Sequence, residues 1–282
     1  RPLLVEVLSG TGAAALYWWE IDRCGLLPPG IPPQLLAGLA LSMHIQWFCH
    51  LVLGWHMLAA SLIDADEKLI PDEITVPGTL FGLLAVAIYP AAMLPTVWIL
   101  PNNRGTLGFL HLLSPQHPLP TWLTGFPHGG SLAIALALWW LWCVALMDRP
   151  WCTSWGCRWA MRLLVVRLVR SPITRRLCWL GLAGSAFIVA SWFWGGPRWV
   201  GLLTGLVGMA SGGGLIWMVR IVGAVTLKRE AMGFGDVTLM AMIGALLGWQ
   251  SCLVIFFLAP LAGLVLGLVQ LLLRQENEIP YG

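Results

Sequence analysis

Thirteen acidic residues occur among 282, and two of them sit where long apolar runs stop or start. Asp64 closes one run in LIDADEKLIPDEITVPG, and Asp236 opens another in GFGDVTLMAMIGALLGWQ, 172 positions later. An Asp at the centre of a membrane-spanning helix costs about 2.5–3.5 kcal/mol on insertion scales, so acids beside such runs stand out. Two carboxyls brought close together cannot both ionise, and one then keeps its proton near neutral pH. The ionised partner can take a proton from water while the protonated one polarises a peptide carbonyl. Taken singly, either acid also reads as an interfacial helix cap. A pair equally describes a proton relay in a transporter.

Gly233 and Gly235 flank Phe234 directly ahead of Asp236. Glycine permits unusual dihedrals and close approach of another backbone, which suits an acid presented beside an extended substrate. A helix-start turn is the plainer reading. Pro71 disfavours a continuous helix through the link after Asp64. Asp66, Glu67 and Asp72 read as solvated rather than catalytic, and Glu6, inside the first apolar run, as a structural acid.

The elements that hold these acids are set by composition. Hydrophobic residues make up 58% of the chain and charged ones 10%, with a mean hydropathy of +0.79. Soluble domains carry roughly 25% charged residues, so this surface must face lipid. The 18 Trp fit a chain that crosses membrane–water boundaries. Runs of about 20 apolar residues cross a bilayer, and eight are predicted: 3–19, 35–63, 74–100, 131–147, 177–194, 199–219, 237–249 and 252–273. The expected fold is all-α, a polytopic membrane protein of about eight transmembrane helices forming a single domain, 1–282. Eight crossings divide the 16 Lys and Arg thirteen to three. Positive charge gathers on the cytoplasmic side, which makes the links around Lys68 and Lys228 cytoplasmic and sets Asp64 and Asp236 at similar depth. Arginines at 158, 162, 167, 170, 175 and 176 make the 148–176 link Arg-rich, an expected amphipathic topology anchor on the anionic inner leaflet. A net charge of +3 gives no reason to expect a nucleic-acid partner.

Taken together, IDADEKLIPDEITVPG, EAMGFGDVTLMAMIGALLGWQ and the terminal IPYG resemble the bacterial type IV prepilin peptidases, membrane aspartyl peptidases with a Gly-x-Gly-Asp motif. Asp64, Ile70, Pro71, Asp72, Thr75 and Pro77 match the family's first motif; Glu230, Met232, Gly233, Gly235, Asp236, Gly248 and Trp249 match its second. Ile279, Pro280, Tyr281 and Gly282 resemble its Ile-Pro-Phe-Gly element. The resemblance implies Asp64 and Asp236 as the catalytic pair, with Gly233, Gly235, Pro71 and Asp72 supporting the substrate. It implies removal of the basic leader of type IV prepilins or type II secretion pseudopilins, at the cytoplasmic face of a bacterial inner membrane. Members that also N-methylate the product with S-adenosylmethionine carry a zinc module with paired CxxC motifs. The seven Cys here form no CxxC pair, so neither zinc nor S-adenosylmethionine is expected as a cofactor. Thr238 stands where the family usually has Lys, and Ala231 where it has Gly. The resemblance covers 1–88 and 226–282, leaving 89–225 as a divergent insertion. The chain opens on Arg1 without a cleavable signal pattern, and the expectation is a fragment or a missing start. The competing readings are a non-hydrolytic proton-coupled transporter and an inactive prepilin-binding homologue.

Other patterns read as structural. His44, His50 and His56 recur every six residues, about 600° of helical rotation, so they scatter around the helix instead of facing one metal. Gly201 with Gly205, Gly263 with Gly267, and the SGGG run at 211–214 read as close helix packing.

Overall fold

A computed structural model describes residues 2–27, 33–99, 105–113, 119–147, 166, 171–227 and 233–274. Its helices are α1 (Pro2–Tyr17), α2 (Pro33–Glu67), α3 (Asp72–Ile88), α4 (Gly129–Ala145), α5 (Pro172–Trp194), α6 (Gly196–Leu227), α7 (Phe234–Leu247) and α8 (Trp249–Arg274). Each answers to one of the eight apolar runs, and the chain is an all-α polytopic membrane protein. Four stretches are both long and apolar enough to cross a bilayer: 39–67 in α2, α5, 196–226 in α6, and 249–269 in α8. α4 and α7 are apolar but shorter.

The third run departs from expectation. It was expected to stay helical over 74–100, but α3 ends at Ile88. Tyr89 precedes Pro90 and lies at φ −135°, ψ 87°, as the clash between proline and the preceding residue requires. After a short 3-10 turn the chain forms a hairpin in which β1 (Pro95–Ile99) pairs antiparallel with β2 (Gly105–Phe109). The β-branched Thr96 and Val97 favour this extended geometry. The hairpin and the loop after it lie against the bundle: Gln46 Nε2 donates to Met93 O at 2.9 Å, Trp249 Nε1 to Leu112 O at 3.0 Å, and Gln250 Nε2 to His111 O at 2.8 Å.

α7 is the centre of the bundle. Met240, Ala241, Met242, Ile243, Ala245 and Leu246 are all buried, so this helix is apolar on every side and enclosed on every side. α3, α6 and α8 enclose it. The packing is backbone on backbone. A Cβ on Gly208 would lie 2.0 Å from Gly244 O, and one on Gly244 would lie 2.1 Å from Gly208 O. A Cβ on Gly205 would lie 2.7 Å from Ala245 O, one on Gly212 2.6 Å from Met240 O, and one on Gly201 2.4 Å from Val86 O. Gly201, Gly205 and Gly208 of α6, with Gly212 and Gly213 of the SGGG run, thus act as the packing surface expected of them, whereas Gly214 faces open space. Gly263 does not: a Cβ there meets nothing within 4 Å, because α8 presents Phe257, Leu258, Leu261 and Leu264 outward. Only 6% of the most apolar window of α8 is buried, as befits a lipid-facing helix.

A side chain at the α6–α7 crossing should be intolerable. Gly208→Val is expected to cost about 3 kcal/mol or more through overpacking, read as a lower thermal midpoint and a smaller monodisperse fraction in detergent. Gly214→Ala, where a Cβ meets nothing within 4 Å, is expected to leave both measurements within error.

Candidate active site

Asp64 lies in the last turn of α2. Lys68, at φ 55°, stops that helix, and its N–H donates to Asp64 O at 2.8 Å. A left-handed residue just past a helix end is an ordinary way to reverse the chain. Pro71 then caps α3, with Asp72 and Glu73 in its first turn, where carboxylates favour the positive end of the helix dipole. Gly233 caps α7, which places Asp236 at the third helical position. From there its carboxylate reaches back to accept from the Gly233 backbone N–H, half of a capping box.

The two motif segments touch. A Cβ on Gly235 would lie 2.6 Å from Ile70 Cβ and 2.8 Å from Ile70 O. Only glycine lets the start of α7 press on the Ile70–Pro71 turn at this distance. Ile70 itself is buried. Across this contact Asp64 acts electrostatically on Asp236. Burial pushes the Asp236 carboxyl above the usual carboxylate range, the Asp64 charge pushes it further, and the Gly233 hydrogen bond pulls it back. Asp236 precedes the apolar part of α7, at the end of the bundle opposite the hairpin.

A buried hydroxyl network joins the same two segments. Thr75 Oγ1 donates to Thr238 Oγ1 at 3.0 Å, and Thr238 Oγ1 donates to Gly235 O at 3.0 Å. Thr75 and Thr238 are both buried. The Asp72 carboxylate is an alternative acceptor for the same Thr238 hydroxyl proton. Burial raises the pKa of Asp72, the Thr238 hydrogen bond lowers it, and the Glu73 charge raises it. Asp72 is exposed, as expected of a solvated acid, with the Thr238 hydroxyl of α7 as a neighbour.

The structure thus brings Asp64, Asp236, Gly235, Pro71 and Asp72 to one end of the bundle. Gly233 is exposed and serves as a cap. Asp66 and Glu67 are exposed, as is Glu6. The Thr75–Thr238 link is not visible from motif spacing. Its signal is the face formed by Thr75, Gly78, Thr79 and Gly82 at helical spacing, all buried against α7. The histidines scatter as expected: His44 Nε2 lies 3.4 Å from Tyr17 Oη, His50 Nδ1 lies 2.8 Å from Glu20 Oε1, and His56 Nδ1 lies 2.8 Å from Val52 O. Among the described residues no group of His, Cys, Asp and Glu could hold a metal ion. Glu230, Ala231, Met232, residues 279–282 and nearly all of the Arg-rich link lie outside the described residues.

The type IV leader peptidase family model matches residues 164–268, a stretch that includes Asp236 and begins inside the segment set apart as an insertion. A prepilin leader peptidase/N-methyltransferase of Aeromonas salmonicida is 27% identical over 203 residues, 67% of this chain and 60% of its own length. Proteins of the same name from Pseudomonas aeruginosa and Pectobacterium carotovorum are 31% identical over 134 residues and 30% over 140. Over these stretches the chain is similar to the type IV leader peptidases. It spans 60%, 43% and 47% of the length of these three relatives. No solved structure matches it. Within the leader peptidase frame, Asp236 falls in the part that the family model recognises, whereas Asp64 precedes it.

Two outcomes follow from this geometry. Gly235→Ala places a methyl on the Ile70 backbone and is expected to cost roughly 1–3 kcal/mol, read as a lower thermal midpoint in detergent. Asp236→Asn has the opposite sign at neutral pH. A carboxyl whose pKa is raised by folding contributes stability below its unfolded pKa and loses it as pH rises through the folded one. Asparagine removes that loss, so its thermal midpoint should exceed wild type at pH 7 and converge with it near pH 3.

Proposed function

We propose that the chain is a membrane-embedded aspartyl endopeptidase that removes the leader of type IV prepilin or type II secretion pseudopilin-like substrates. Cleavage takes place at the cytoplasmic face of a bacterial inner membrane. The observation that carries this reading is that the Asp64 charge acts on the Asp236 carboxyl, 172 positions away in sequence, where the segments carrying them meet at Gly235 and Ile70. The names of the relatives, prepilin leader peptidase/N-methyltransferase, agree with it.

Asp236, in the protonated form that burial and the Asp64 charge favour, donates a hydrogen bond to the scissile carbonyl. Asp64, ionised, takes a proton from a water molecule, and the water oxygen attacks the carbonyl carbon. The tetrahedral adduct collapses when the C–N bond breaks and the proton held by Asp64 passes to the leaving nitrogen. Asp236 recovers its own proton as the carbonyl re-forms. Each carboxyl ends in the state in which it began, so the pair is ready for another turnover. The charge on α2 and α3 suits a basic leader: Asp66, Glu67 and Glu73 are exposed beside the pair. The reaction as proposed uses neither zinc nor S-adenosylmethionine.

The test is cleavage of a synthetic leader-bearing pseudopilin by membranes containing the full chain. Asp64→Ala and Asp236→Ala should each lower kcat by on the order of 1,000-fold or more, as loss of either member of a catalytic pair does. Activity should fall as pH rises through the elevated Asp236 pKa. Processing that survives both substitutions would sink the reading.

A further inference from the structure

The relation between Thr238 and the peptide that carries Asp236 points to a role for this residue in the proposed reaction. Thr238 occupies the turn of α7 that follows Asp236, and its side chain is 4% exposed. Its oxygen receives the hydroxyl proton of Thr75 from α3 at 3.0 Å. Its own hydroxyl points to the carbonyl of Gly235 at 3.0 Å, and that carbonyl belongs to the Gly235–Asp236 peptide. Asp72, in the first turn of α3, competes for the same hydroxyl proton. One hydroxyl therefore joins α3 to the peptide plane from which the Asp236 side chain departs.

We propose that Thr238 is a positioning residue for the leader peptidase reaction, acting through a Thr75–Thr238–Gly235 hydrogen-bond relay that sets the orientation of the Asp236 carboxyl. The proposal rests on the aspartyl peptidase reading of the preceding subsection. Gly233, Phe234 and Gly235 leave the start of α7 with two residues that restrain the backbone weakly. The Gly235–Ile70 contact stops α7 from approaching α3 more closely, but a steric stop does not fix a peptide plane. A hydrogen bond to its carbonyl does. The bond lies inside the bundle, where water does not replace a lost partner. Catalytic groups misplaced by about 1 Å lose on the order of 100-fold in rate, so a weak restraint next to the acid matters more than its energy suggests. Thr75 provides the fixed end: it is fully buried, one turn into a helix already held by Pro71.

The test compares Thr238→Val, which keeps the shape and removes the hydroxyl, with Thr238→Ser, which keeps the hydroxyl. The full chain in membranes is assayed for leader cleavage, with kcat and KM determined separately and thermal midpoints measured in detergent. Thr238→Val is expected to lower kcat by ~10-fold with KM within twofold of wild type, and Thr238→Ser to restore most of kcat. Thr75→Val should lower kcat similarly, and the Thr75→Val/Thr238→Val double variant should lose little more than either alone, as members of one network do. Wild-type kcat in Thr238→Val overturns the relay while leaving the peptidase reading intact. So does a kcat loss that Thr238→Ser fails to recover. Absence of cleavage by the wild-type chain overturns the peptidase reading and the relay with it.

Discussion

The contact on which the rest depends is the backbone-to-backbone seating of α7. In lipid, helices gain nothing from the hydrophobic effect by meeting one another, since the tails around them are equally apolar. Association then relies on close van der Waals approach, which small residues allow. α7 has such contacts along its length: Gly235 against Ile70, Gly244 against Gly208, and Ala245 against Gly205. A helix of 14 residues is about 21 Å long, less than the roughly 30 Å of a hydrocarbon core. α7 therefore fits inside the bundle, and the acid in its first turn inherits the rigidity of the crossings that follow it.

That placement sets opposing influences on one carboxyl. Burial and the Asp64 charge favour the protonated form of Asp236, whereas the Gly233 N–H favours the ionised form. The positive end of the helix dipole works in the same direction as the N–H. A carboxyl governed by burial alone would stay neutral, and one governed by the helix terminus alone would stay ionised. The balance leaves Asp236 responsive to its neighbour, and the proposed paired mechanism requires that response. Asp72 stands under a similar balance through Thr238, so the acids of this end are linked by backbone and hydroxyl contacts as well as by charge.

Much of this was legible in sequence for physical reasons that can be named. Apolar runs near 20 residues have few alternatives to membrane helices, and all eight found a helix. The like depth of Asp64 and Asp236 followed from where Lys and Arg gather, and both acids do lie at one end of the bundle. Gly235 was legible only in kind. Its need for close backbone approach was foreseen, but the backbone that approaches is Ile70 of the same chain. Two features were hidden. The turn from α3 into a hairpin depends on Pro90 and Pro95 within an apolar run, and hydropathy does not distinguish a strand from a helix there. The Thr75–Thr238 bond joins positions 163 apart, a pairing that only the packing of α3 on α7 creates. Gly263 shows the converse: its spacing suggested packing, yet α8 turns it toward lipid.

The hairpin, far from the acids, completes the argument about their position. Seating against glycines fixes how closely α7 approaches α3 and α6, but smooth glycine faces resist sliding along the helix axis poorly. Axial position has to be set at an end. At the hairpin end, Gly248 at φ +81° turns α7 into α8, and the next two residues are bonded at once to the loop after β2 through Trp249 and Gln250. Gln46 bonds Met93, which ties α2 to the chain just before the same hairpin. The helices that carry Asp64 and Asp236 are thus referenced to one small structure at the opposite end of the bundle. A slip of one residue would move an acid 1.5 Å, more than a paired carboxyl mechanism tolerates. A hairpin inserted into an apolar run thus ties α2 and the α7–α8 turn at one end, the axial restraint that glycine packing lacks.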